Sequence, residues 1–253
     1  MDSSYKLECC VDTLESAINA QNGGADRLEL ASHLLIGGMS PSPWFIEQVL
    51  ELGIPTNVLL RPRFGDFHYD QAEQAVLIKE IEHCRKLGVH GVVIGALTVD
   101  GRLDEEALKP MLEAAGDLEK VLHRAFDVTR VQAEALEQAI KLGFDIVLTS
   151  GGNAKALAGA DNLAKLNQQA AGRIILQAGS GVTAENMAEI ASKTGIRQFH
   201  LSGKKTVAGP MQYRNPDVPM GLPIASEYDR MVTDVEAIRR AKQVLLEIAQ
   251  KGA

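Results

Sequence analysis

The chain has 253 residues, 45% hydrophobic and 23% charged, with a formal net charge of -7. This is the composition of an ordinary soluble domain with enough chain for a full core, and it excludes disordered, collagenous and coiled-coil chains. The acidic balance lacks the basic footprint of a nucleic-acid binder, and no apolar run reaches the roughly 18 residues of a membrane span. Aromatics are only 4%, so Leu, Ile, Val and Ala must fill the core, as in parallel strands packed under helices.

In chain order, strand-like aliphatic runs are predicted near 5–11, 26–31, 56–61, 91–96, 119–124, 145–149, 173–178 and 198–202. Amphipathic helical patterns follow them near 13–22, 42–52, 71–87, 104–115, 131–142, 154–169, 183–193 and 234–250. Strand-then-helix repeated eight times predicts a parallel sheet. Eight even units in about 250 residues suit a single closed (β/α)8 TIM barrel, an α/β fold spanning residues 1–253. A doubly wound open sheet is the alternative, but the first strand–helix turn, Val11-Asp12-Thr13, has no G-x-G-x-x-G.

Local signals support this phasing. Asp12 with Glu15, Asp70 with Glu73, and Thr233 with Glu236 have capping-box spacing. Ser40-Pro41 reads as a helix start. Gly53, Gly88 and Gly143 read as glycines just past helix ends. One segment breaks the rhythm: the loop 203–233 after the eighth strand, with four of the nine prolines, Pro210, Pro216, Pro219 and Pro223. So long a connection is usually functional or disordered, and it suggests a lid or an oligomer contact.

In a barrel the chemistry lies at the C-terminal ends of the strands. Alternation along the first strand puts Glu8, Cys10 and Asp12 on one face, and along the second puts Glu29 and Ala31 together. The polar set should face the axis, because the outer face packs on helices. Arg61, His123 and His200 end later strands. Glu8, Glu29, Arg61, His123 and His200 are therefore the candidate catalytic set, with Arg63, Arg124 and Asp127 near the rim. Carboxylates, guanidinium and imidazole in one closed interior shift each other's pKa values. The plainer alternative is a satisfied ion-pair ring that fills the barrel.

Two glycine turns, Ser150-Gly151-Gly152-Asn153 and Gly179-Ser180-Gly181-Val182, each link a strand to a helix and offer backbone N–H groups to an anion. They form the candidate anion-binding set with Arg63 and Arg124. The plainer reading is that the glycines simply allow tight turns. The three cysteines do not suggest a disulfide framework, so a reducing, cytoplasmic compartment is expected. Only Cys10 should face the axis; Cys9 and Cys84 read as core. A soft thiolate there favours Cu(I).

The ordered motifs carry a family resemblance. Glu8-Cys9-Cys10-Val11-Asp12-Thr13-Leu14-Glu15-Ser16-Ala17, Gly23-Gly24-Ala25-Asp26-Arg27-Leu28-Glu29-Leu30, Arg61-Pro62-Arg63 and His123-Arg124-Ala125-Phe126-Asp127 resemble those of the CutC copper homeostasis family. So do Leu148-Thr149-Ser150-Gly151-Gly152, Phe199-His200 and Ser226-Glu227-Tyr228. The resemblance implies a cytoplasmic (β/α)8 barrel with a role in binding or trafficking copper. It also implies two inward cysteines as Cu(I) ligands, in the members that carry both. Cys10 matches the first, whereas Ala31 stands at the second. Phe64 in place of a glycine, and Ala178-Gly179-Ser180-Gly181 in place of a Pro-Gly-Gly-Gly turn, are further departures.

Three readings follow. The first is a copper-handling protein with Cys10 as a metal ligand. The second is a metal-independent isomerase or lyase acting on a small anionic metabolite. In it Glu8 or Glu29 would be the base, His123 the acid or electrophile, and Arg61 an anion clamp. The third is an assembly protein, a homodimer or higher oligomer, acting through the 203–233 loop.

Overall fold

Buried on both faces, the aliphatic runs pair as parallel strands in chain order until the eighth meets the first and the barrel closes. The computed structural model describes residues 5–215, 217, 218, 221 and 226–251. The strands are β1 (Lys6–Val11), β2 (Arg27–Leu30), β3 (Thr56–Leu59), β4 (Gly91–Ile94), β5 (Glu119–Leu122), β6 (Ile146–Thr149), β7 (Ile175–Ala178) and β8 (Gln198–Leu201). The helices are α1 (Leu14–Gly23), α2 (Pro43–Leu50), α3 (Gln71–Leu87), α4 (Glu105–Ala115), α5 (Gln132–Leu142), α6 (Ala160–Ala170), α7 (Ala184–Thr194) and α8 (Val235–Lys251). This is the expected (β/α)8 barrel.

The helix starts show where local signals mislead. Asp70 and Glu73 form the capping box their spacing predicts. Thr13, not Asp12, caps α1, and Asp12 instead accepts from the Leu34 N–H at 3.0 Å. Ser42 caps α2 with Pro43 in its first turn, one Ser-Pro pair later than expected. Thr233 ends a strand, and Asp234 accepts from the Glu236 N–H. Helix α6 starts at Ala160, and residues 151–159 form turns instead of the predicted first helical turn.

The residue before α6 is closely packed. Gly159 packs so tightly on the end of β6 that a Cβ there would lie 1.9 Å from the Ser150 carbonyl oxygen. A backbone atom cannot rotate away. Gly159→Ala is therefore expected to destabilise by more than the ~1–3 kcal/mol usual for overpacking. Urea denaturation measures this, and a midpoint equal to that of the parent protein would contradict the packing described.

The core has two parts. The larger lies between the strands and the helices and includes Cys9 and Cys84, as expected for small core residues. The second lies inside the barrel and is formed by Ala31, Leu59, Val93, Val121, Ile146 and Leu148. These apolar residues come mostly from β3 to β6. Buried polar side chains from β1, β2, β7 and β8, among them Glu8, Arg27, Glu29, Gln177 and His200, fill the other side. The barrel interior is thus divided into an apolar half and a polar half.

The connection after β8 is not wholly irregular. Strands β9 (Lys204–Ala208) and β10 (Asp229–Thr233) pair antiparallel as a ribbon. Arg230 ties the ribbon to Glu15 of α1 at 2.7 Å. Of the four prolines in the loop, Pro210 is described; Pro216, Pro219 and Pro223 lie outside the described residues.

Candidate functional site

Barrel closure brings together the side chains that parity alone could only turn inward. Glu8 stands opposite His200 across β1 and β8, and Cys10 stands opposite Glu29 across β1 and β2. Glu8 accepts from Arg27 Nε at 2.5 Å and Gln177 Nε2 at 3.0 Å, and pairs with His200 Nδ1 at 2.8 Å. Burial alone would raise its pKa, but Arg27 and His200 outweigh that and hold it at about 2. A carboxylate so paired is a poor base. The structure therefore corrects the reading of Glu8 as a general base: it is the anionic hub of the polar half.

Glu29 differs. Burial raises its pKa to about 7, and its Oε2 has no hydrogen-bond partner. On His200, burial opposes the charge, but Cys10, Glu29 and Glu8 together raise the pKa well above its ordinary value. One carboxylate oxygen each from Glu8 and Glu29 and one ring nitrogen of His200 lie within 4.8 Å of one another, the spacing of a possible metal site. Cys10 is half-buried beside them and lines the same cavity, whose volume is about 820 Å³.

The opposite wall holds Arg61 and His123. Arg61 donates to the carbonyls of Gly65 at 2.6 Å and Gly38 at 3.3 Å and, among the described residues, forms no ion pair and leaves Nε unpartnered. Its guanidinium lies 4.9 Å from the centre of the Phe67 ring, which also packs 4.9 Å from the ring of His123. His123 Nδ1 accepts from the Ala125 N–H at 3.1 Å, so in the neutral ring the proton sits on Nε2. Burial, with Arg61 nearby, lowers its pKa to about 3. His123 is thus a neutral N–H donor whose Nε2 has no acceptor.

The two glycine turns diverge. The turn after β6 already holds an anion: Asp127 accepts from the N–H groups of Ser150 and Gly152 and from the hydroxyls of Thr149 and Ser150. Arg124 pairs with the same carboxylate at 2.7 Å. This corrects the assignment of Ser150, Gly151, Gly152 and Arg124 as a site for an external anion. Arg63 is also corrected: it is half-exposed and spent on Glu73 at 2.5 Å and Asp66 at 3.1 Å, outside the cavity. In the turn after β7, Gly179 donates to the Thr149 carbonyl and so serves the barrel. Ser180 and Gly181, both at positive φ, line the cavity.

Sequence reasoning passed over Arg27, Gln177, Lys204 and Arg240. Arg27 shares parity with Glu29, so alternation could have found it. Lys204 on β9 and Arg240 on α8 reach the cavity only through the folded ribbon and the last helix, which no local pattern marks.

A family model described as the CutC family matches residues 5–205. A CutC protein of Bacteroides fragilis is 44% identical over 239 residues, covering 93% of this chain and 95% of its own length. The chain belongs to the CutC family. The human copper homeostasis protein cutC homolog is 40% identical, over 96% of this chain and 92% of that one. The crystal structure of a Streptococcus agalactiae CutC superposes with a TM-score of 0.75 at 30% identity, covering 78% of this chain and 98% of the other. A Pyrococcus furiosus thiamine phosphate pyrophosphorylase, with TM-score 0.57 and 16% identity, shares the barrel fold alone.

Among the described residues a single thiol, Cys10, lines the cavity. Ala31 is fully buried in the inner apolar cluster. Cys9 cannot substitute, because it faces the outer core with Sγ 3.6 Å from the Ser202 carbonyl, and burial raises its pKa well above the usual thiol range.

Proposed function

We propose that this CutC protein serves copper homeostasis, the role in the name of its human relative, by holding Cu(I) at the barrel mouth between Cys10 and His200. The observation that carries this reading is that the Cys10 thiol, opposite Glu29 across β1 and β2, lines the same cavity as His200, beside the Glu8–Glu29–His200 cluster. Glu8 occupies Nδ1 of His200, which leaves Nε2 as the ring nitrogen for a metal. A thiolate and an imidazole are the soft and borderline donors that Cu(I) favours. A carboxylate on the far ring nitrogen is the usual outer partner that fixes a metal-binding histidine. A hard divalent ion is less well served, because Glu8 is already spent on Arg27, Gln177 and His200. Copper is the cargo in this reading, and Glu29 stands beside it as a third donor or a proton acceptor.

The three cysteines are unpaired, and among the described residues no helix is long and apolar enough to cross a membrane. Both features support a place in the reducing cytoplasm.

The test is an anaerobic Cu(I) titration against a chromogenic chelator. One equivalent should bind, and more weakly at low pH, because His200 must lose a proton to solvent before its free ring nitrogen can hold the metal. Loss of a direct ligand in Cys10→Ser should cost more than the roughly 10–100-fold that removal of an outer partner costs. Equal affinity in Cys10→Ser, or no binding by the parent protein, would overturn the assignment.

A further inference from the structure

We propose that the cavity also binds a small organic phosphate, with the phosphate on the Ser180–Val182 turn and an acceptor oxygen at its other end on Arg61 and His123. None of these groups belongs to the copper site, so the inference stands apart from that reading.

The buried orphan groups argue for it. His123 and Arg61 are 5% and 6% exposed, yet His123 Nε2 and Arg61 Nε have no partner, and both residues line the cavity. Both atoms are donors. A buried donor left unsatisfied is destabilising, and a cavity lined with two of them is built for an acceptor. Arg61 is also a buried cation with no carboxylate partner among the described residues. Its guanidinium is held in place by backbone carbonyls and Phe67, so it is preorganised without being neutralised.

The phosphate end rests on the turn after β7. Ser180 and Gly181 have φ of 74° and 65°, two successive left-handed residues. Their N–H groups and that of Val182 have no partner among the described residues, whereas those of Gly179 and Thr183 are taken by the Thr149 carbonyl and Asn186 Oδ1. Successive free N–H groups at a helix start make an anion-binding concavity, here at the start of the 11-residue α7. The sister turn after β6 shows the principle within this chain, for Asp127 fills it with a carboxylate. Lys204 and Arg240 line the same cavity and form no ion pair within 4 Å among the described residues. Asp234 and Asp127, which also line it, are spent on Lys205 and Arg124. Glu185 is turned to its own helix start by Thr183.

The experiment is an amide NMR titration of the metal-free full chain with inorganic phosphate, glycerol 3-phosphate and 3-phosphoglycerate. All three should shift the amides of Ser180, Gly181 and Val182, with 3-phosphoglycerate binding most tightly. Lys204→Glu, on the exposed ribbon, should weaken all three about tenfold, the effect of losing a charge-assisted contact. Arg61→Gln should remove the advantage of 3-phosphoglycerate over glycerol 3-phosphate and leave inorganic phosphate unchanged. If Arg61→Gln fails to fold, the Lys204→Glu result decides the phosphate end, and the ranking of the two organic probes in the parent protein decides the other. Absence of shifts at the turn, equal affinity in Lys204→Glu, or no preference for 3-phosphoglycerate would overturn the proposal.

Discussion

Glu8→Gln is expected to cost about 3–5 kcal/mol of folding stability, the effect of breaking a buried ion pair by removing one partner. Arg27 and Glu8 are 3% and 1% exposed. Gln keeps the shape of the side chain but removes the charge that offsets Arg27 and His200. Arg27 would keep Glu119, at 3.0 Å and partly exposed, as its charged partner, and the neutral Gln198 Oε1 at 3.3 Å. Urea denaturation at neutral pH should show a lower midpoint with little change in slope. The pH dependence gives a second reading. A carboxyl whose pKa falls from 4.5 to about 2 on folding contributes stability that is full above its unfolded pKa. That contribution is lost as pH falls through about 2. Parent and variant should therefore differ most above pH 5 and converge in acid, where Glu8 is itself neutral. A gap that stays constant down to pH 2 would show that the charge on Glu8 is not what the fold uses.

Asp127→Ala should cost about 3 kcal/mol or more, because hydrogen bonds to a charged acceptor contribute ~1.5–3 kcal/mol each and several donors are orphaned at once. Thr149 Oγ1 lies 2.6 Å away, Ser150 N and Gly152 N lie 3.0 and 3.1 Å away, and Arg124 Nε lies 2.7 Å away. The vacated turn would then be an anion site, with its N–H groups and Arg124 in place. Millimolar formate should restore part of the lost melting temperature in the variant and leave the parent protein unaffected, by binding only the folded state. A variant that melts like the parent, or that ignores formate, would refute the role given to Asp127.

These two carboxylates show what is readable before folding. Parity along β1 and β2 places Glu8, Cys10 and Glu29 on the axis side, and that inference needs only the two-residue period of a strand. Parity does not say which inward charge meets which. Glu8 and His200 lie 192 residues apart in the chain, and they meet because the last strand closes on the first. Pairing with Arg27 and His200 holds Glu8 at about 2, whereas burial raises Glu29 to about 7. The same limit applies to the glycine turns. Their sequences are nearly equivalent as anion cradles, yet one is filled by a side chain from 23 residues upstream and the other is open. The caps of α1, α2 and α8 slipped by one or two residues because neighbouring polar residues compete for one helix end, and tertiary partners such as Leu34 settle the choice.

By itself, then, the sequence determined the eightfold strand–helix phasing, the inward face of each strand and the single axial thiol, because each depends on local periodicity and residue type. Only the tertiary structure decided which inward groups are spent on one another and which remain free. That choice depends on barrel closure and strand register, and so on contacts between residues far apart in the chain.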